Sequence, residues 1–147
     1  MKKRILVPVD GSAASEKAVQ TAEQLLSSLG GDLTLFTVVE SIEAVPGILM
    51  GEHAHNTLAA KIDEATDLLN KVAGQCTFEV TCDVAVGRAA DQILFKSRQG
   101  YDLLVMGSSG LGHPFRKFLV GSVTEEILLR TDLPVMVVRC EGDVGAS

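Results

Sequence analysis

Five short apolar runs punctuate the chain, and between them apolar residues recur at helical spacing. Ile5-Leu6-Val7-Pro8-Val9 is continuous and ends abruptly at Asp10-Gly11-Ser12, the pattern of a strand buried on both faces of a parallel sheet. Ala18, Ala22, Leu25, Leu26 and Leu29 then fall on one helical face, bounded by the cap-type Ser12 or Ser15 and by Gly30-Gly31. Residues 33–39 form a second β-rich run, and an irregular stretch with Pro46, Gly47 and Gly51 follows to about residue 56. Leu58, Ile62, Ala65, Leu69 and Val72 mark a second amphipathic helix that Gly74 is expected to end. Residues 77–86 alternate as a strand, 89–98 read as a short helix, 102–106 as a buried strand, 122–130 as a helix and 134–139 as a fifth strand. The Gly/Ala/Ser-rich tail from Gly142 carries no pattern and is expected to fray.

Strands alternating with helices predict a single-domain α/β fold: a five-stranded parallel sheet with helices on both faces and right-handed crossovers, Rossmann-like in class. Ligands of such sheets bind at the carboxyl ends of the strands, where the strand order reverses. That rule points to Asp10 at the end of the first strand, to Val38, Val39 and Glu40 on the second, and to the loop after Met106; Pro8, Val9 and Met106 at the strand ends are counted with the candidate site.

Composition narrows the ligand. The chain has 147 residues, no Trp and one Tyr, so the stacking rings common in flavin pockets and single-strand nucleic-acid platforms are missing. A formal net charge of −6 disfavours nonspecific attraction to nucleic acid or an anionic membrane, so any phosphate site must be local. No run is long enough to span a bilayer, and the basic start is interrupted by Pro8 and Asp10, unlike a signal peptide. Cys76, Cys82 and Cys140 lack metal-type spacing; they read as reduced, buried thiols of a cytosolic protein.

The strongest chemical signal is Gly107-Ser108-Ser109-Gly110-Leu111-Gly112, followed by Gly121-Ser122 at a helix start. Glycines let backbone N–H groups converge on an anion, serine hydroxyls add donors, and the helix offers its positive end. Arg116 and Lys117 between the clusters could screen a polyphosphate or form a solvated turn, and His113 is either a phosphate contact or an exposed loop histidine. Glu52-His53-Ala54-His55 reads as a solvated loop, because histidines two apart do not share a face.

The phrases ILVPVDGS at 5–12, YDLLVMGSSGLG at 101–112, FLVGSVTEEIL at 118–128 and LPVMVVR at 133–139 resemble the universal stress protein family, in the same order and over nearly the whole chain. The family's nucleotide-binding members carry glycine, two residues, glycine, nine residues, then glycine and Ser/Thr. Gly107, Gly110, Gly121 and Ser122 match, except that ten residues separate Gly110 from Gly121. The resemblance implies an adenine nucleotide alpha hydrolase-like fold over residues 1–141, with 142–147 as a tail. It implies ATP, ADP or AMP as ligand, Asp10 at the ribose or adenine, and the Val38 backbone at the adenine edge. Gly107, Gly110, Gly121, Ser122 and Val123 would line the phosphates, with Ser108 or Gly112 close by. It also implies a cytoplasmic regulatory or stress-response role and a homodimer paired through residues 135–139. That pairing agrees with an apolar strand whose backbone a sheet edge would expose. Few fixed cations face the site, so Mg²⁺ or Mn²⁺ is expected to accompany ATP.

Competing readings fare worse. A dinucleotide dehydrogenase needs G-x-G-x-x-G after the first strand, where this chain has Asp10-Gly11-Ser12-Ala13-Ala14-Ser15. A receiver domain lacks its acidic cluster, and G-x-x-x-x-G-K-[ST] does not occur. A slow ATP hydrolase or self-phosphorylating enzyme, and a dimeric interaction module with a vestigial site, stay open. The first has no positioned general base or nucleophile beyond Ser108, Ser109 and Ser122.

Overall fold

The most fully apolar runs, in Lys3–Pro8 and Leu103–Gly107, become inner strands because only a central position can bury side chains on both faces. The computed structural model describes residues 2–40, 52–109 and 120–140, residues 52–56 by their backbone alone. The elements run β1 (Lys3–Pro8), α1 (Ala13–Leu29), β2 (Gly31–Val39), α2 (Glu52–Gln75), β3 (Val80–Val86), α3 (Ala89–Ser97), β4 (Leu103–Gly107), α4 (Ser122–Arg130) and β5 (Val135–Val138). All pairings are parallel, in the order β3-β2-β1-β4-β5.

Side-chain alternation divides the core in two. Ile5, Val7, Leu33, Leu35 and Val105 face α1 and α2, meeting Ala18, Ala22, Leu26, Leu69 and Val72. Leu6, Phe36, Leu104 and Met106 face α3 and α4, meeting Ala90, Ile93, Leu94 and Ile127. Leu6 and Leu104 are wholly buried; cutting either to Ala removes about 2–5 kcal/mol.

Local differences from the sequence pattern have physical causes. Ser12 is the cap of α1, its hydroxyl accepting the Ser15 N–H at 3.2 Å. Gly30 closes that helix with φ of 71°, and Gly31 already pairs with Lys3, so β2 starts two residues early. Gly74 does not end α2, which continues to Gln75; one glycine costs a helix only about 1 kcal/mol. The irregular stretch is also shorter, since α2 begins at Glu52. β3 begins at Val80 and not Thr77, because the Thr77 N–H and hydroxyl both bond the Glu23 carboxylate on α1. The cysteines are not a buried set: Cys82 is exposed, and Cys76 and Cys140 are half-buried. The tail from Gly142 lies outside the described residues.

Candidate functional site

A cleft opens where β1 and β4 part. β1 pairs with β2 through Pro8↔Phe36 but with β4 only at Ile5↔Leu103 and Leu6↔Leu104. The Val9 N–H donates to the Phe36 carbonyl, so by alternation residue 8 faces β4, and proline has no N–H to continue that ladder. β1 lies between the two halves of the sheet, and the split falls at its topological switch point.

Three elements frame the opening. After β1, the Asp10 carboxylate accepts the Ser12 N–H at 2.9 Å and the Ser15 hydroxyl lies 3.4 Å from the Asp10 N–H. Gly11 turns the chain between them at φ of 86°, a conformation glycine adopts without strain. One Asp10 oxygen is thus taken by its own turn; the exposed side chain lines the cleft.

On β2, Phe36 directs its carbonyl to Val9 and Val39 directs its carbonyl to Gly87 on the other side. Alternation therefore turns the Val38 N–H and C=O toward β1, beyond the last residue that could meet them. Thr37 stiffens this edge with a hydroxyl bond to the Val9 carbonyl at 2.9 Å.

The third element is the start of α4. Gly121 is its N-cap without a side-chain cap, and the N–H groups of Ser122, Val123 and Thr124 have no partner inside the helix, concentrating positive potential at the rim. Thr124 anchors this turn by donating its hydroxyl to the Gly107 carbonyl at 3.0 Å.

The cleft holds about 270 Å³, near the lower end of small-molecule pockets at roughly 300 Å³. Pro8, Val9, Asp10, Val38, Met106, Gly107, Gly121, Ser122 and Val123 all line it. Ser108 does not: it is buried, its N–H bonded to the Val138 carbonyl and its carbonyl to the Gly121 N–H. Two glycines therefore differ from expectation. The Gly121 N–H is already used at 2.7 Å, and Gly107 is a β4 residue where a Cβ would lie 2.8 Å from the backbone of Ala14. Gly107 makes room for α1 first. Gly110, Gly112, His113, Arg116 and Lys117 lie outside the described residues, as do the side chains of His53 and His55.

Pattern reading missed Ser15, Phe36, Ala89, Ile93 and Thr124, while Ser109 of the serine loop does line the cleft. Phe36 was within reach, two residues before Val38 and so on the same face. Ala89 and Ile93 share one face of α3 at i, i+4 spacing, but only the fold brings α3 to this cleft.

Arg88, just before α3, bonds both oxygens of Glu126 on α4. The Arg88 hydrogen bond first, then that from Arg130 and both positive charges, hold Glu126 down to about 2 against burial, and Arg88 is raised in turn. Cys76, by contrast, is pushed up to about 11, by burial first and then by Glu23, so it stays a thiol at neutral pH. Among the described residues no group of three or more His, Cys, Asp or Glu gathers as a metal site, and no helix is long and apolar enough to cross a membrane.

Comparison with known proteins agrees with this architecture. The model of the universal stress protein family matches residues 1–139. Universal stress protein MJ0577 of Methanocaldococcus jannaschii is 26% identical over 156 residues, covering 95% of this chain and 96% of its own. A solved structure of hypothetical protein MJ0577 has a TM-score of 0.81 at 25% identity, over 95% of this chain and 97% of that one. A universal stress protein in complex with cAMP shares the fold at TM-score 0.60 and 24% identity, over 94% and 97% of the two chains. Another from Archaeoglobus fulgidus, in complex with dAMP, does so at 0.59 and 15%, over 94% and 98%. With strand order and family match both spanning almost its full length, the chain belongs to the universal stress protein family.

Proposed function

We propose that this chain is a nucleotide-binding regulatory protein whose switch-point cleft takes an adenine nucleotide. The observation that carries the reading is the Val38 backbone pair at the end of β2. An N–H beside a C=O complements adenine, whose ring N1 accepts while its 6-amino group donates; guanine reverses both. Phe36, Met106, Ala89 and Ile93 supply apolar surface for the base. Asp10, with one oxygen left, accepts from ribose, and the first-turn N–H groups of α4 meet the phosphates. The cAMP and dAMP held by relatives of the same fold support this ligand class.

No Lys or Arg is among the described residues lining the cleft. Mg²⁺ or Mn²⁺ would therefore bridge ATP oxygens and strengthen its binding without binding tightly alone. The protein acts in the cytoplasm, as a stress-response component.

It works as a homodimer paired through β5, an edge strand with Met136 36% exposed, next to α4 whose Leu129 is 79% exposed. The carbonyls of Pro134 and Val138 point to β4, so by alternation the Val137 N–H points outward. Val137→Pro removes that outward donor and leaves the inner ladder intact; sedimentation is expected to show the variant monomeric where the parent is dimeric.

The central test is to denature freshly purified protein, analyse released nucleotide, and titrate the stripped protein with ATP, ADP and AMP, with and without Mg²⁺. Released or rebound adenine nucleotide is the expected result. Absence of both, at millimolar ligand, overturns the reading. Stoichiometric ADP from added ATP instead moves the protein to the slow hydrolases.

A further inference from the structure

The site depends on a residue that neither lines the cleft nor belongs to the glycine pattern. α3 begins at Ala89 with Arg88 as N-cap, and the Arg88 side chain makes no capping bond. The Ala89 N–H, an orphan donor of the first turn, is instead met by the Glu40 carboxylate at 2.9 Å, from 49 residues away in sequence. Two residues before Ala89, the Gly87 N–H donates to the carbonyl of Val39, the residue before Glu40, at 3.0 Å.

These two bonds splice the end of β2 to the start of α3. Val38 lies just before the splice, its own polar groups turned the other way, while Ala89 just after it lines the cleft. Negative charge at a helix N-terminus is favourable, and here it also sets the distance between the edge that reads the base and the wall beside it. On these grounds we propose that Glu40 is a positioning residue for base discrimination, aligning the Val38 edge with the Ala89–Ile93 wall. The inference rests on the adenine-nucleotide reading above.

Inosine triphosphate separates positioning from general support. It keeps the ribose and phosphates of ATP but carries a donor at N1 and an acceptor at position 6, so the Val38 edge rejects it. The full chain and its Glu40→Ala and Glu40→Gln variants are titrated with ATP and with inosine triphosphate. Circular dichroism fixes the folded fraction, and amide exchange is followed at Ala89. Glu40→Ala should weaken ATP about tenfold and inosine triphosphate less than about twofold, collapsing the preference, with faster exchange at Ala89. Glu40→Gln keeps an oxygen acceptor and should restore the preference to within about threefold.

Equal weakening of both nucleotides, or no change in either, overturns the assignment even if the parent binds ATP well. A parent chain that binds neither nucleotide overturns the adenine reading itself, and this inference with it. The parent titration tells the two failures apart.

Discussion

The two ends of the sheet are built on opposite plans. At the amino end, Arg4 closes everything within reach. Its backbone N–H meets the Asp102 carboxylate at 2.8 Å, its guanidinium bonds the carbonyls of Gln99 and Gly100, and it lies 4.5 Å from the centre of the Tyr101 ring. At the carboxyl end the Val38 pair and the first turn of α4 present polar groups with no strand or helix partner, while the layer beneath is packed tightly enough to exclude a side chain at Gly107. One end is closed by side chains. The other keeps its backbone available over a rigid floor, and the difference lies in what each end can still bind.

The largest test strikes that floor. Gly107→Val puts a Cβ against the Ala14 backbone, which cannot rotate away as a side chain would, and should lower stability by about 3 kcal/mol in chemical denaturation. A loss below about 1 kcal/mol would show that the open end is looser than its geometry implies.

Arg4→Ala is the counterpart at the closed end. Losing exposed charge-assisted bonds and one ring contact should cost about 1.5 kcal/mol of stability, with nucleotide affinity in the folded protein unchanged. A shift in affinity would mean that the two ends are coupled.

Thr124→Val removes the hydroxyl that ties α4 to the Gly107 carbonyl, at a cost of about 1 kcal/mol. Unlike the Arg4 variant, it should also weaken nucleotide binding, and Thr124→Ser should recover both. Calorimetry on the two variants checks the contrast.

The smallest effect is in acid. Glu126 falls from 4.5 to about 2 on folding, so its ion pairs with Arg88 and Arg130 contribute fully above about pH 4.5 and are lost as pH falls toward 2. The pairs are solvent-exposed, which keeps the contribution small. Thermal midpoints of the parent and Glu126→Gln should therefore differ most near neutrality and converge toward pH 2; a constant difference would remove this network as a source of acid sensitivity.

The fold was legible wherever one residue type had one physical use. Apolar runs such as residues 5–9 have no stable place except a doubly covered strand, and Ser12 before a helical pattern is a cap. The positions of Asp10 and Val38 beside the cleft were legible because ligands of such sheets sit at strand ends by a switch point. Glycine was harder to read, since the same absence of a side chain serves a phosphate, a turn or a neighbouring helix. Gly107 makes room for Ala14, and Gly74 does little to its helix. Pairings across long separations left no local trace: nothing near Ala89 announces Glu40, and nothing near Thr77 announces Glu23.

The strand order also governs how the chain is made. β1 precedes the other four strands in sequence yet occupies the middle of the sheet, and the segment leading into its β4 neighbour is bonded to it through residues as far apart as Arg4 and Asp102, 98 positions on. Until synthesis passes residue 107, a nascent chain holds β1, β2 and β3 with the β4 flank of β1 bare. Such long-range closure slows folding and leaves partial chains prone to aggregate.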